Sequence, residues 1–237
     1  MSPLTSAVQS LLGLQLSQEQ EAAFARYAAE LAEWNQRINL TALDQPEEIE
    51  VKHFLDSLSA WLALRATPTG RVIDVGAGAG LPGLPLKILH PALDLTLVEA
   101  TGKKADFLTH MVQVLRLEGV SVLAMRAEEV GQDPAHREQY DWAVARALAP
   151  MPVLAEYLLP LLRVGGTALA MKARDVRAEM EAGRAAIHEL GGELGPLHEV
   201  QVPGLDEERY LVEINKVSAT PAKYPRRPGM PSKRPLE

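Results

Sequence analysis

The sequence predicts an α/β fold: a mostly parallel, doubly wound sheet of seven strands with a helical extension at its N-terminal side. Three observations predict it. The β-branched run Val72-Ile73-Asp74-Val75 breaks directly into Gly76-Ala77-Gly78-Ala79-Gly80-Leu81-Pro82-Gly83, as a buried parallel strand does when it turns through glycines into a helix. Apolar runs then alternate with amphipathic segments as far as Val217, the signature of strand–helix–strand units. Two helix-spaced segments precede the glycines and lie outside any nucleotide-binding unit.

In chain order, Ser17-Gln18-Glu19-Gln20 reads as a capping box. Phe24, Tyr27, Ala28, Leu31, Trp34 and Ile38 follow at helical spacing, and Asn39-Leu40-Thr41 ends the pattern. A second helix is expected from Pro46, with Glu47, Glu48 and Glu50 favouring its N-terminal dipole. Its apolar stripe is Val51, Phe54, Leu55, Leu58, Trp61 and Leu62. Trp34 and Trp61 are read as core residues. His53 and Asp56 lie three apart beside the stripe; spacing alone favours a helix-surface pair over a face turned to substrate. Thr67-Pro68-Thr69-Gly70 is a hinge-like break.

After the first strand, Pro82 suits a first helical position, and Leu84, Leu86, Ile88 and Leu89 cover the helix it opens. Leu95–Val98 is the second strand, Lys103–Leu117 a helix and Val120–Ala124 the third strand. Asp141–Ala145 is the fourth strand, ending at Arg146; Pro150 and Pro152 open a helix to about Leu162. Gly165-Gly166 leads into Thr167–Met171, the fifth strand, ended by Lys172. A helix over Val176–Leu190 and a strand pair over Gly191–Val202 and Arg209–Val217 complete the sheet. The expected divisions are 1–66 for the extension, 67–217 for the sheet unit and 218–237 for the tail. Pro221, Pro225, Pro228, Pro231 and Pro235 leave that tail extended or disordered unless it packs.

The glycines point to a ligand held close to the backbone. Gly78-Ala79-Gly80-Leu81-Pro82-Gly83 matches the dinucleotide spacing G-x-G-x-x-G, which alone is weak evidence. Asp74 would repel a pyrophosphate and suits a cationic ligand. The pattern resembles motif I of class I methyltransferases that use S-adenosylmethionine. Glu99 follows the second strand, 23 residues beyond Gly76, where an acid can hydrogen-bond ribose hydroxyls. Ala127-Glu128 follows the third strand, in a position to meet an adenine edge.

Composition bounds the chemistry. Of 237 residues, 47% are hydrophobic, enough for one sizeable core. Cysteine is absent, which excludes disulfides, thiolate metal sites and a cysteine nucleophile. No run is long or apolar enough to span a bilayer, and no basic-then-apolar leader opens the chain. A cytoplasmic protein without membrane association, and a monomer, is therefore expected. The net charge is −7, yet from Lys216 onward six cations face Glu237 alone. An acidic body with a basic tail results.

Arg146 and Lys172 also stand at strand ends, beyond which ligands bind in open α/β sheets. Enzymes that methylate exocyclic base amines carry an Asn or Asp followed by Pro-Pro and an aromatic residue after the fourth strand. Here the stretch is Val144-Ala145-Arg146-Ala147-Leu148. An acceptor with a free lone pair needs no such group, and guanine N7 is one. In-line positioning can then carry catalysis, with Arg146 offering its fork to guanine O6, to a phosphate or to the cofactor carboxylate. An ion pair with an acid of the N-terminal helices is the simpler role for Arg146.

Motifs along the chain together resemble the bacterial 16S ribosomal RNA guanine-N7 methyltransferase G family, also called glucose-inhibited division protein B. They are Trp34-Asn35 with Asn39–Ala42, His53–Leu58, Asp74–Gly83, and Glu99 with Lys103-Lys104 and Phe107-Leu108. Arg126–Glu128, Arg146-Ala147, Gly165-Gly166 with Lys172, and Tyr224–Gly229 with Lys233 and Pro235-Leu236 follow. The resemblance implies a class I fold and methyl transfer from S-adenosylmethionine, without a metal, to N7 of a guanine in the 530-loop region. It implies cofactor contacts at Asp74, Gly76, Gly78, Leu81, Ala127, Glu128 and Arg146, with Glu99, Ala100 and Thr101 near the ribose. Ala145 and Ala100 stand where a serine is common, which puts at most a local hydrogen bond in doubt. His53, Asp56, Lys172, Arg226 and Arg227 are candidates for the RNA side, and Arg146 for orientation. Assembled small-subunit particles are the expected partner. If about four tail cations met phosphates, deleting the tail would lower the log–log salt slope by roughly 3. A small-molecule methyltransferase, a non-catalytic assembly factor and a nicotinamide enzyme are the alternatives.

Overall fold

A computed structural model describes residues 2–41, 48–65 and 70–237. The chain opens with α1 (Pro3–Leu12), which the sequence reading missed. Its signals are ordinary ones: Ser2 accepts the amide of Thr5, Pro3 takes the first turn, and Gly13 ends it at φ 69°. The helix α2 (Gln18–Ile38) starts on the expected Ser17/Gln20 capping box. Next comes α3 (Ile49–Leu55), which is π-helical rather than α-helical, followed by the short α4 (Asp56–Leu58) and α5 (Trp61–Leu64). Pro46, Glu47, the residues 67–69 of the expected hinge, and the 66/67 division lie outside the described residues. The π-helical turns end directly before Asp56, the first residue of α4.

The sheet unit follows as β1 (Arg71–Val75), α6 (Gly83–Leu89), β2 (Asp94–Val98), α7 (Gly102–Val114) and β3 (Val120–Leu123). Then come α8 (Ala127–Gln132), β4 (Tyr140–Arg146), α9 (Met151–Leu158), β5 (Leu162–Lys172) and α10 (Val176–Glu189). The last sheet elements are β6 (Gly192–Val200) and β7 (Arg209–Lys216), and α11 (Met230–Lys233) lies in the tail. The strand order is β3-β2-β1-β4-β5-β7-β6. The first five strands pair in parallel, and β7 pairs antiparallel with both β5 and β6. This is the expected seven-stranded, mostly parallel sheet. β5 starts at Leu162, well before Thr167, because Gly165-Gly166 continue the strand rather than precede it. Pro82 caps α6 instead of entering it.

Alternate β1 residues feed two cores. Val72 joins the face covered by α2, α3 and α6, while Ile73 and Val75 join the face covered by α9 and α10. The extension shares the first of these cores. Phe54 packs against Phe24 and Tyr27 with ring centroids 5.2 and 4.8 Å apart. The Gln20 amide donates to the carbonyls of Ile88 and Leu89 at the end of α6, and Tyr27 Oη donates to the carbonyl of Ala79 inside the glycine turn. Trp61 is buried, stacked on His90, and Trp34 packs on Phe107 and His110. Neither tryptophan is a base platform.

The tail is neither extended nor disordered. Tyr224 is buried, and its carbonyl and that of Thr220 accept from Arg137. Gln132 donates to the carbonyl of Pro225 at 2.7 Å. These bonds satisfy backbone groups that the prolines would otherwise leave to solvent.

Candidate active site

Two clefts open beyond the carboxyl ends of the parallel strands. The first, about 320 Å³, brings together Gly76, Gly78, Glu99, Ala100, Ala127 and Glu128 from the loops after β1, β2 and β3. Lys104, Met125, Arg126, Leu148 and Tyr157 complete its wall. The glycine turn has the backbone it needs for this: Gly76 and Gly78 sit at φ 72° and 57°. A Cβ added to Gly78 would meet only the carbonyl oxygen of Gly76, at 3.8 Å, an ordinary contact. A Cβ on Gly76 would lie 2.5 Å from Leu148 Cδ1.

Glu99 binds the turn it faces. One carboxylate oxygen accepts the amide of Gly78 at 3.0 Å and the other that of Thr101 at 2.7 Å. Each oxygen keeps further acceptor capacity in a residue that lines the cleft. Thr101 caps α7 and is exposed, so its link to the cleft runs through its amide. Glu128 is buried and accepts the amide of Gly229 at 2.8 Å, so the tail forms part of the support of this cleft.

Two expected cofactor residues are buried beneath the turn and a third stands elsewhere. Asp74 is fully buried, and its Oδ2 accepts the amide of Gly83 at 2.7 Å. Burial pushes its carboxyl up to about 7, against the pull of that hydrogen bond and of Arg146. Its Oδ1 has no hydrogen-bond partner among the described residues. Asp74 therefore ties the turn to α6 rather than facing the first cleft. Leu81 is buried with it. Arg146 does not line the first cleft at all.

The second cleft, about 470 Å³, lies beyond the ends of β4, β5 and β7. Asp56, Arg146, Lys172, Arg174, Glu179, Arg209 and Tyr210 line it, and Leu148 is shared between the two clefts. Arg146 Nη1 donates to Asp56 Oδ2 at 2.9 Å, and Arg209 Nε donates to Asp56 Oδ1 at 3.1 Å. The expected simple role for Arg146, a pair with an N-terminal acid, is thus present, and the pair is itself part of the cleft wall. Ala147, the next residue, holds φ 52° without being glycine, local strain of the kind kept at functional positions. Lys172 Nζ donates to the carbonyl of Ala149 at 2.8 Å and pairs with Glu179.

Two RNA-side candidates are corrected by their surroundings. His53 stands behind Arg146, with Nε2 2.6 Å from Thr41 Oγ1, and does not line either cleft. Burial and the Arg146 charge push its pKa down to about 4, so it is neutral at pH 7 and cannot serve as a cation for phosphate. Arg226 is clamped on the fully buried Glu156, Nη2 to Oε2 at 2.6 Å and Nε to Oε1 at 2.9 Å. Arg227 is exposed, as expected. Arg209 and Tyr210 were not singled out from sequence. They open an otherwise ordinary apolar strand, and only the β5–β7 pairing brings Tyr210 beside Lys172.

The match to known proteins decides the family. The family model described as rRNA small subunit methyltransferase G covers residues 20–208. The chain belongs to this family. A relative named ribosomal RNA small subunit methyltransferase G in Roseiflexus castenholzii is 54% identical over 224 residues, spanning 94% of this chain and 95% of the relative. One of the same name in Dehalococcoides mccartyi is 45% identical and covers 96% of each chain. Among solved structures, an S-adenosylmethionine-dependent methyltransferase from Aquifex aeolicus superposes with TM-score 0.54 at 17% identity, covering 76% of this chain and 97% of that one. M. jannaschii TYW2 in complex with AdoMet gives TM-score 0.51 at 12% identity, with 86% and 79% covered. At such identities the structures establish the fold. Family and fold together make the chain an S-adenosylmethionine-dependent methyltransferase.

Among the described residues no group of three His, Asp or Glu side chains is arranged as metal ligands, and no helix is long and apolar enough to cross a membrane.

Proposed function

We propose that the first cleft holds S-adenosylmethionine and the second holds a guanine of 16S ribosomal RNA, in the 530-loop region, whose N7 takes the methyl group. The observation that carries this is the shared wall at Leu148. A donor against Gly78 and Glu99 and an acceptor against Arg146 would meet there. The N7 lone pair forms a bond to the methyl carbon as the carbon–sulfur bond breaks. The sulfonium charge passes to the purine ring, and no proton is removed. The protein therefore needs no general base, and positioning supplies the rate. Arg146, already oriented by Asp56, is placed to donate to O6 beside the reacting nitrogen or to the adjoining phosphate. Gly76, Gly78, Ala100, Ala127 and Glu128 shape the donor site, and Asp74, Leu81 and Thr101 support it from behind.

The RNA must present a guanine that is already out of a helix, because the major groove of A-form RNA is too deep and narrow for a protein to reach N7. The acidic body should bind naked RNA weakly, so an assembled small-subunit particle is the partner we propose, met by a monomer in the cytoplasm. Of the tail cations, Lys223 pairs with Glu189 and Arg226 with Glu156. Arg227, Lys233 and Arg234 are exposed and supply the phosphate contacts.

The deciding experiment is transfer of labelled methyl to free 16S RNA and to intact small subunits, followed by nucleoside analysis. Label in 7-methylguanosine from the particle is expected. Label confined to a small metabolite, or no label in any ribosomal particle, would end this reading.

A further inference from the structure

We infer that Tyr210 is the platform on which the acceptor guanine stacks. This rests on the reading of the second cleft as the acceptor site. Among the described residues that line that cleft, Tyr210 is the one aromatic side chain. The other walls are charged groups or small and aliphatic side chains, such as Ala147, Pro150 and Met171. A base drawn out of RNA loses its stacked neighbours, and proteins replace them with an aromatic or apolar face.

The placement of the ring suits that task. Tyr210 pairs across the sheet with Lys172, so both side chains rise from one face at the carboxyl end of β5. Lys172 is drawn aside to Glu179 and the carbonyl of Ala149. The ring of Tyr210 is half-buried: it packs in part against the second core and in part borders the cleft. Its hydroxyl donates to Glu208, which gives the polar end of the phenol a partner within the protein. The neighbouring Arg209 is bound to Asp56 on the opposite face. Two successive β7 residues thus give the cleft a cationic edge and an aromatic side. A planar base gains from stacking on the ring, and a flexible aliphatic ligand would gain little from it.

The test compares Tyr210→Ala, Tyr210→Phe, Tyr210→His and Tyr210→Leu in methyl transfer to intact small subunits, with donor affinity measured by calorimetry. The ring, not the hydroxyl, is expected to matter. Tyr210→Ala should raise KM for the particle about ten-fold or more, the effect of losing one base–aromatic stack, with donor affinity unchanged. Tyr210→Phe should stay within about two-fold of the wild type. Should Tyr210→Ala fold poorly, the order Phe and His ahead of Leu carries the same test, because Leu keeps the apolar area without the π face. A KM for Tyr210→Ala equal to that of the wild type would overturn the inference. So would a Phe variant as weak as Ala, or Leu equal to Phe. These failures leave the proposed function standing if the wild type still methylates the particle. A wild type that methylates no particle removes the function and this inference together.

Discussion

Asp56 holds Arg146 and Arg209 on its two carboxylate oxygens, at 2.9 and 3.1 Å, and so joins the helical extension to the ends of β4 and β7. The carboxylate is nearly buried, with a side-chain exposure of 8%. The extension is therefore a wall of the second cleft, and its Asp56 orients two of the groups that line that cleft.

Arg146→Ala tests which ligand Arg146 serves. Because Arg146 lines the second cleft and not the first, kcat/KM for the particle should fall about a hundred-fold, as expected when positioning is lost. Donor affinity by calorimetry should change less than about three-fold. A large loss of donor affinity would return Arg146 to the cofactor side.

Gly78→Val should abolish donor binding in the same titration. Gly78 lines the first cleft, and φ 57° is a conformation that a β-branched residue resists. An unchanged Kd for S-adenosylmethionine would remove the donor from the glycine turn.

The tail can be separated into structural and binding cations. Arg226→Ala leaves the Glu156 carboxylate buried without its partner and should cost about 3 kcal/mol, measured by denaturant unfolding. It should leave the salt dependence of particle binding as it is. Replacing Arg227, Lys233 and Arg234 together by alanine should spare stability and lower the log–log salt slope by about 2. The slope is smaller than four free cations would give because Lys223 and Arg226 are committed to Glu189 and Glu156. An unchanged slope would take the tail out of the interface.

Asp74 makes stability depend on pH in a direction opposite to an ordinary salt-bridged acid. Its folded pKa of about 7 lies above the ordinary value of 3.8, with burial as the main cause. The folded form thus binds the proton more tightly than the unfolded chain. The stability this group contributes is full below about pH 4 and is lost as pH rises through about 7. Asp74→Asn removes that loss. Measured from pH 4 to 8, the variant should gain on the wild type with rising pH, by an amount on the order of a few kcal/mol. A difference that stays flat would mean that the carboxylate is solvated where it stands.

Much of this was legible in the residues. The capping box at Ser17, the strand–glycine–helix run from Val72 to Gly83 and the acid at Glu99 act through neighbours in sequence or through a spacing set by one strand–helix–strand unit. Local chemistry therefore predicted α2, the sheet and most of the first cleft. Arg226 shows the opposite case. In sequence it is one cation of a basic tail, and only the docking of that tail on α9 exposes it to Glu156.

The sequence by itself determined the sheet, the glycine turn and the family, because repeating apolar periods and short motifs carry that information within a few tens of residues. Tertiary structure alone decided which charges are free, that Asp74 and His53 lie behind the site, and that Asp56, Arg209 and Tyr210 belong to one cleft. Those facts depend on partners up to 153 positions away and on burial. Both arise only when the extension, β7 and the tail close on the same sheet.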